Sequence, residues 1–522
     1  MITPLTPLDW KRRATKLYPK KIAIIDGPLR FTYQEFNDRT WKLTNALHKL
    51  GLGTNDHIAV MLPNIHQMLE CFYGIAQLGA VMVPINTRLN AEEIAYILEH
   101  SDAKAMIADR EYMDLMSSMK DSVQNLQIMI EVVHHSSPNV TATSVDYEYE
   151  QLLETATATP FSIEIDENQA LSINYTSGTT SRPKGVILTH RNNYMNAADV
   201  LFHMRIVHED QYLHILPMFH ANGWGSVWAF TAVGATHVCL RKVDPELILQ
   251  LFMNEEITVA FGAPTVINML LHAPQMKNYK PKRAIRFATA GSPPPAAVIE
   301  KSQQLLNMEI THVYGLTEVS PLISYCEWKS SFNDLSPTQI AEIKARQGVE
   351  MVHNGETKVV LPDGQEVLWN GKQIGEIVTR GNVVMAGYYK QPEETAKAIR
   401  DGWFYTGDLA VVHPDGYIQI VDRAKDVIIS GGENISSIEV EDILYQHPAV
   451  MEAGVVAIPH EKWGEVPKAF IIVKPGETVT ADELNEWCRE RLAHFKTPKE
   501  YEFVTSLPRT STGKLQKFRL RG

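Results

Sequence analysis

Between Tyr175 and Val186 the chain reads Tyr175-Thr176-Ser177-Gly178-Thr179-Thr180-Ser181-Arg182-Pro183-Lys184-Gly185-Val186, which packs hydroxyl side chains, glycines and a lysine into one turn. Such a turn can wrap the oxygens of a polyphosphate. Glycine lets backbone N–H groups come close, and Ser and Thr supply hydrogen bonds without bulk. Strand-like stretches, Leu171 to Tyr175 and Val186 to Leu188, flank the turn. It is not a Walker loop, which needs Gly-Lys-Ser/Thr opening a helix; here Pro183 precedes Lys184 and Gly185 follows it. Judged on residue types alone, a polar surface hairpin is the competing reading.

Further segments follow in order: Ala290-Gly291-Ser292-Pro293-Pro294, Tyr314-Gly315-Leu316-Thr317-Glu318, Trp403-Phe404-Tyr405-Thr406-Gly407-Asp408, Asp422-Arg423-Ala424-Lys425-Asp426 with Gly431-Gly432-Glu433-Asn434, and Pro508-Arg509-Thr510-Ser511-Thr512-Gly513-Lys514. As an ordered set across most of the chain they resemble the adenylate-forming, AMP-binding superfamily, which includes acyl-CoA synthetases, luciferase and the adenylation domains of peptide synthetases. The resemblance implies an enzyme that uses ATP, Mg²⁺ and CoA. A free carboxylate resists nucleophiles, so it is first converted to an acyl adenylate with loss of pyrophosphate, and a thiol then displaces AMP. Bringing a carboxylate against the α-phosphate crowds negative charge, which cations must offset.

The same resemblance implies a role for each residue. Ser177, Gly178, Thr179, Thr180 and Lys184 hold phosphate oxygens, and Thr176 and Glu318 hold the metal. Lys514 reaches between carboxylate and phosphate oxygens. Asp408 accepts both ribose hydroxyls, with Arg423 as its partner. Gly291, Ser292 and Pro293 lie against one face of adenine, and Tyr314 stacks on the other beside Gly315 and Thr317. Lys425 sits where relatives carry a hinge residue, and Gly431 and Gly432 border the pantetheine tunnel. Rotation of the domain that carries Lys514 would let one site run both half-reactions. Ser181 departs from the glycine usual in the family; if that position needs a positive φ, the cost is ~1 to 2 kcal/mol and the loop is stiffer.

On the acid side, Leu216-Pro217-Met218-Phe219-His220-Ala221-Asn222-Gly223-Trp224 resembles fatty acyl-CoA synthetases. By that likeness His220 lies beside the reacting carboxylate, with Ala221 and Trp224 along the acyl chain. Trp224 matches a tunnel gate of the long-chain branch, so a medium- to long-chain fatty acid is the first expectation. Short-chain or methylmercaptopropionate-CoA ligation, and loading of a carrier protein in trans, are the alternatives. A catalytically dead nucleotide-binding scaffold is the reading from another class, and the joint presence of Lys514, Glu318, Thr317 and Asp408 argues against it. An apolar pocket discriminates weakly per methylene, so one tryptophan cannot set chain length.

These residues need elements to carry them. Thr32 to Leu50 places Phe36, Leu43, Ala46, Leu47 and Leu50 at helical spacing, then Gly51 leads to a strand-like His57 to Leu62. Gln67 to Gln77 followed by Ala80 to Ile85 repeats the pattern, as do pairs near Leu247 to Val259 and Ala296 to His312, which predicts parallel sheets with helices on their faces. After Val352 short strands alternate with turns such as Leu361-Pro362-Asp363-Gly364 and His413-Pro414-Asp415-Gly416. From Asp422 a new α/β pattern begins: helix Ser437 to Tyr445, strands Val450 to Ile458 and Ala469 to Val473, helix Ala481 to Leu492. The expected organisation is α/β. An N-terminal adenylation domain spans 1–423, with a β-barrel-like subdomain from about 350, and a mobile, small α+β C-terminal domain spans 424–522.

Composition agrees with a globular, multi-domain chain: 522 residues, 44% hydrophobic, 21% charged and a net charge of -12. The acidic balance argues against general affinity for nucleic acid or anionic membrane, and no window approaches the ~18 apolar residues that span a bilayer. Basic residues near the N-terminus have no apolar run behind them, so a secretory signal is not expected. Cys71, Cys239, Cys326 and Cys488 form no CxxC pair, which fits a reducing cytoplasm and suggests neither a disulfide framework nor structural zinc. No HExxH spacing appears among the histidines, and His208 and His214 are wrongly spaced for one helical face. The partners expected are a carboxylic acid, ATP and CoA, with a homodimer as an option.

Overall fold

The computed structural model describes residues 2–117, 119, 123–137, 145–176, 182–290, 296–431, 433–509 and 515–521. Two large sheets dominate its first part. One has nine strands and is built on parallel pairing of Ile22–Asp26, Thr236–Val238, Gln211–Leu213, Val259–Phe261, Ile285–Thr289 and Met308–Gly315. The other has eight strands. Its parallel part runs through Ala170–Thr176, Val81–Pro84, His57–Met61, Ala103–Asp109 and Ile128–Val132, and Lys184–Thr189 closes one side antiparallel to Ala170–Thr176.

The helix His66–Gln77 shows why the sheets stay together. Every residue in it is buried, as expected of a helix enclosed on all sides. Its Met68, Leu69, Phe72 and Ile75 share one core with Ile24 and Tyr212 of the nine-stranded sheet and Ile58 and Val60 of the eight-stranded sheet. Two other helices start at sequence-legible caps: Thr32 and Glu35 form a capping box on Tyr33–Lys49, and Thr189 with Asn192 does so on His190–His203.

The β-rich segment forms a five-stranded antiparallel sheet in the order Gly355–Val360, Gly375–Gly381, Trp403–Val412, Ile399–Arg400, with Ile418–Arg423 also paired to Trp403–Val412. Beyond it, Glu433–Ile435, Ile428–Ser430, Gly464–Val473 and Val450–His460 make a second sheet, joined by a parallel Glu500–Phe503. Helices Ser437–Tyr445 and Ala481–Arg491 share its core through Val440, Leu444, Leu484 and Cys488. Asp422 ties the two parts, its Oδ2 accepting the backbone N–H and the hydroxyl of Ser437 at 2.6 Å each. Among the described residues no helix is long and apolar enough to cross a membrane.

Candidate active site

The strand Trp403–Val412 pairs antiparallel with Ile418–Arg423 in the register Asp408↔Arg423, which sets the carboxylate beside the guanidinium at Oδ1···Nε 3.2 Å. Tyr314, at the end of strand Met308–Gly315, donates its hydroxyl to Asp408 Oδ2 at 2.7 Å. Burial, and next the charge of Asp408, push the Tyr314 phenol well above its usual range, so it stays a donor. The carboxylate is thus fixed from both oxygens. Gly315 follows at a spot where no other residue fits, because a Cβ there would stand 1.7 Å from the carbonyl oxygen of Pro321. That closeness turns the chain into the short 3-10 turn Thr317–Val319, which carries Thr317 and Glu318, both half-buried.

A second group surrounds Glu318. Thr176 ends one strand of a hairpin and Lys184 begins the other, paired Thr176↔Lys184. Tyr388, brought in by its antiparallel pairing with Val186, donates its hydroxyl to Glu318 Oε1 at 2.9 Å and lies with its ring 4.8 Å from Lys184 Nζ. Lys184 also pairs with Glu394. Burial, and next Glu318, raise the Tyr388 phenol, so this donor too keeps its proton. Thr176 and Glu318 offer hydroxyl and carboxylate oxygens, the donor set that a hard cation such as Mg²⁺ takes.

The acid-side segment adopts an unusual backbone. Ala221, Asn222, Gly223, Trp224 and Gly225 all have positive φ, from 35° to 76°. Ala221 and Trp224 disfavour this region, so the surroundings must over-determine the turn. Asn222 supplies much of the hold. Fully buried, its amide donates to Ser172 Oγ at 3.0 Å and Asn193 Oδ1 at 2.9 Å. Ser172 lies in the strand that ends at Thr176, so the turn is tied to the hairpin that pairs Thr176 with Lys184. His220, half-buried, sits at the start of the turn, and Trp224 points into the core. There the Trp224 ring lies 6.2 Å from that of Phe261, which is 5.0 Å from Tyr212, itself stacked on Phe230 at 4.2 Å. Met218, Ala288, Val313 and Leu322 belong to the same core.

Among the residues singled out from sequence, the structure therefore draws Tyr314, Gly315, Thr317, Glu318, Asp408 and Arg423 together. Tyr388 links Lys184, the strand partner of Thr176, to Glu318, and His220, Ala221 and Trp224 lie on one turn. Lys425 lies two residues past Arg423, and Gly431 follows strand Ile428–Ser430 with its backbone N–H on the Trp463 carbonyl at 2.8 Å. Ser177, Gly178, Thr179, Thr180, Ser181, Gly291, Ser292, Pro293, Gly432 and Lys514 lie outside the described residues. Sequence reasoning passed over Tyr388, Glu394, Asn222 and Phe261. For Tyr388 and Glu394 no local signal existed, since only strand pairing brings them to a hairpin some two hundred positions earlier. Asn222 had a readable signal, an Asn-Gly pair of the kind that tolerates positive φ.

Comparison with known proteins places these observations in a wider set. A family model described as "AMP-binding enzyme" matches residues 11–389, and one described as "AMP-binding enzyme C-terminal domain" matches residues 439–514. The chain is 42% identical to 4-hydroxybutyrate--CoA ligase 2 of Metallosphaera sedula, over 99% of this chain and 94% of that protein. It is 40% identical to 2-methylpropanoate--CoA ligase CCL4 of Humulus lupulus, over 99% and 95%. Among solved structures, the anthranilate CoA ligase AuaEII in complex with anthranoyl-AMP superimposes with a TM-score of 0.88 at 25% identity, covering 99% of this chain and 97% of that one. ATP-bound MatB from Rhodopseudomonas palustris gives 0.86 at 26% identity, covering 98% of each.

Proposed function

Since the chain belongs to the AMP-binding enzyme family and is an AMP-forming acid–CoA ligase, we propose that the acid it activates is a compact one, a short straight or branched chain or a small ring, rather than a long-chain fatty acid. The observation that carries this is the closed aromatic wall behind His220. Trp224, 6% exposed, packs on Phe261, 1% exposed, which in turn packs on Tyr212; with these rings in place, little room is left beside Trp224 for a long alkyl chain. The names of the relatives, which include 2-methylpropanoate, 4-hydroxybutyrate, butyrate and benzoate ligases, support the same end of the size range. A long acyl chain needs that wall to open.

The reaction then proceeds in two steps. An oxygen of the acid attacks the α-phosphorus of ATP, the bond to pyrophosphate breaks, and acyl adenylate forms. The CoA thiol, giving its proton to solvent, attacks the acyl carbon and AMP leaves. Asp408, held by Tyr314 and Arg423, accepts the ribose hydroxyls, since an ionised carboxylate has acceptor sites to spare beyond its two protein partners. Tyr314 presents its ring to adenine. Lys184 and the hydroxyls of the hairpin turn hold phosphate oxygens. Thr176 and Glu318 would hold Mg²⁺, which supplies charge neutralisation at the phosphates. His220 orients the attacking carboxylate, and Lys514 places a cation where charge builds.

The experiment is CoA-dependent AMP formation across acetate, butyrate, 2-methylpropanoate, 4-hydroxybutyrate, benzoate, octanoate and palmitate. The expected optimum falls among the compact acids. A kcat/KM for palmitate above that for butyrate would overturn the reading. Substituting a holo-carrier protein for CoA in the same assay separates a CoA ligase from a carrier-loading enzyme.

A further inference from the structure

Strands Ile22–Asp26 and Ile128–Val132, one from each large sheet, end beside the first residue of the helix His66–Gln77. This junction gathers imidazoles around one buried carboxylate. Asp26 Oδ2 accepts the backbone N–H of His66 at 2.9 Å and its Nδ1–H at 2.8 Å, and stands 3.0 Å from His134 Nε2. Asp26, His66 and His134 are all buried, whereas His135, its ring centroid 3.8 Å from that of His134, is exposed. One ligand atom each from Asp26, His134 and His135 falls within 4.8 Å of the others.

The loop that carries the two histidines is braced. His134 donates its backbone N–H to Ser137 Oγ at 3.1 Å, and Ser137 donates its hydroxyl to Asp109 at 3.0 Å. Asp109 in turn receives Arg241 through both oxygens at 2.8 and 2.9 Å. Gly27 leaves room for the third group: its φ is +56°, and a Cβ there would stand 2.6 Å from His135 Nε2. A braced loop, a cleared space and a buried carboxylate oriented by a further imidazole are what a metal site needs around its ligands.

We propose that Asp26, His134 and His135 bind a divalent transition-metal ion, Zn²⁺ foremost, with a solvent-facing position beside His135 and with His66 orienting Asp26. Imidazole nitrogens with one carboxylate suit Zn²⁺, Co²⁺ or Ni²⁺ and select against Mg²⁺, so this ion is distinct from the one that accompanies ATP. In the structure the Ser136 backbone N–H donates to His134 Nδ1 at 3.3 Å; coordination through Nε2 moves the ring proton to Nδ1, exchanging that contact for donation to Ser136 Oγ, 2.7 Å away. The ion would bridge the edges of the two sheets, and its binding would therefore raise the stability of the fold.

The test uses full-length, chelator-treated protein with excess MgCl₂ present, titrated with CoCl₂ and then with ZnCl₂. One Co²⁺ per chain is expected, with the visible absorption of a low-coordinate nitrogen and oxygen site, displaced by Zn²⁺; Zn²⁺ also raises Tm. His135→Ala, an exposed change that leaves folding intact, should weaken Co²⁺ binding at least about tenfold and remove the Tm rise. His135→Cys should restore binding and add thiolate-to-cobalt charge transfer. Less than half an equivalent of Co²⁺ on the folded protein, or equal affinity in the wild type and His135→Ala, would overturn the site.

Discussion

At the scale of single residues, the cluster proposed to bind nucleotide is built on one carboxylate with two protein partners. Tyr314→Phe keeps the ring but removes the hydroxyl that Asp408 accepts. A hydrogen bond to a charged group is worth about 1.5 to 3 kcal/mol, so the KM for ATP should rise by roughly ten- to a hundredfold while the acid's KM stays near wild type; steady-state kinetics with each substrate varied checks this. Phe261→Ala opens the wall beside Trp224. Its expected signature is a shift of the acid optimum toward longer chains, of about tenfold in the octanoate-to-butyrate ratio of kcat/KM given the modest value of each methylene in an apolar pocket. It should also lower Tm, because truncating a buried Phe costs about 3 to 5 kcal/mol.

At the scale of elements, the turn Ala221–Gly225 and the helix Leu8–Leu17 carry the local conflicts. Asn222→Ala strips the two hydrogen bonds that hold the turn against Ser172 and Asn193. We expect a loss of about 1 to 3 kcal/mol in stability and a drop in kcat larger than any change in ATP KM, read from denaturant melts and kinetics together. In Leu8–Leu17, Lys11 is buried and its ammonium meets Asn37, Thr40 and the rings of Trp41 and Tyr73. Burial lowers its pKa to about 7, against a smaller opposing pull from Asp38. The unfolded chain holds that proton up to its ordinary value of 10.5. Between about 7 and 10.5 the unfolded state therefore binds more protons than the folded one, so stability rises with pH through that window and is lost as pH falls through about 7. Lys11→Met should flatten this rise, which urea midpoints at about pH 7 and about pH 9 will reveal.

At the scale of the whole molecule, Asp422 ties the β-rich part to the small sheet beyond it by holding the N-terminus of Ser437–Tyr445. Lys514→Ala should abolish ATP–pyrophosphate exchange while leaving thioester formation from supplied acyl adenylate largely intact; equal loss of both would remove the idea of one lysine serving only the first step. Much of this architecture was legible without coordinates. The helix Ser437–Tyr445 and the strand starting at Val450 stand where periodicity and turn residues put them, and His66–Gln77 differs from its reading by one residue. Such elements are set by local pattern and caps, information a few residues long.

The ordered motifs in the chain were enough to declare the family and the class of reaction, because each motif is contiguous. Tertiary structure alone decided the rest. It brought Tyr388 across to Glu318, stacked Phe261 behind Trp224 and so moved the proposed acid from long to compact, and carried His134 and His135 to Asp26 where no metal spacing could be read along the chain. The reason is physical: strand pairing and core packing join residues tens to more than a hundred positions apart, and neither leaves a mark in the local order of side chains.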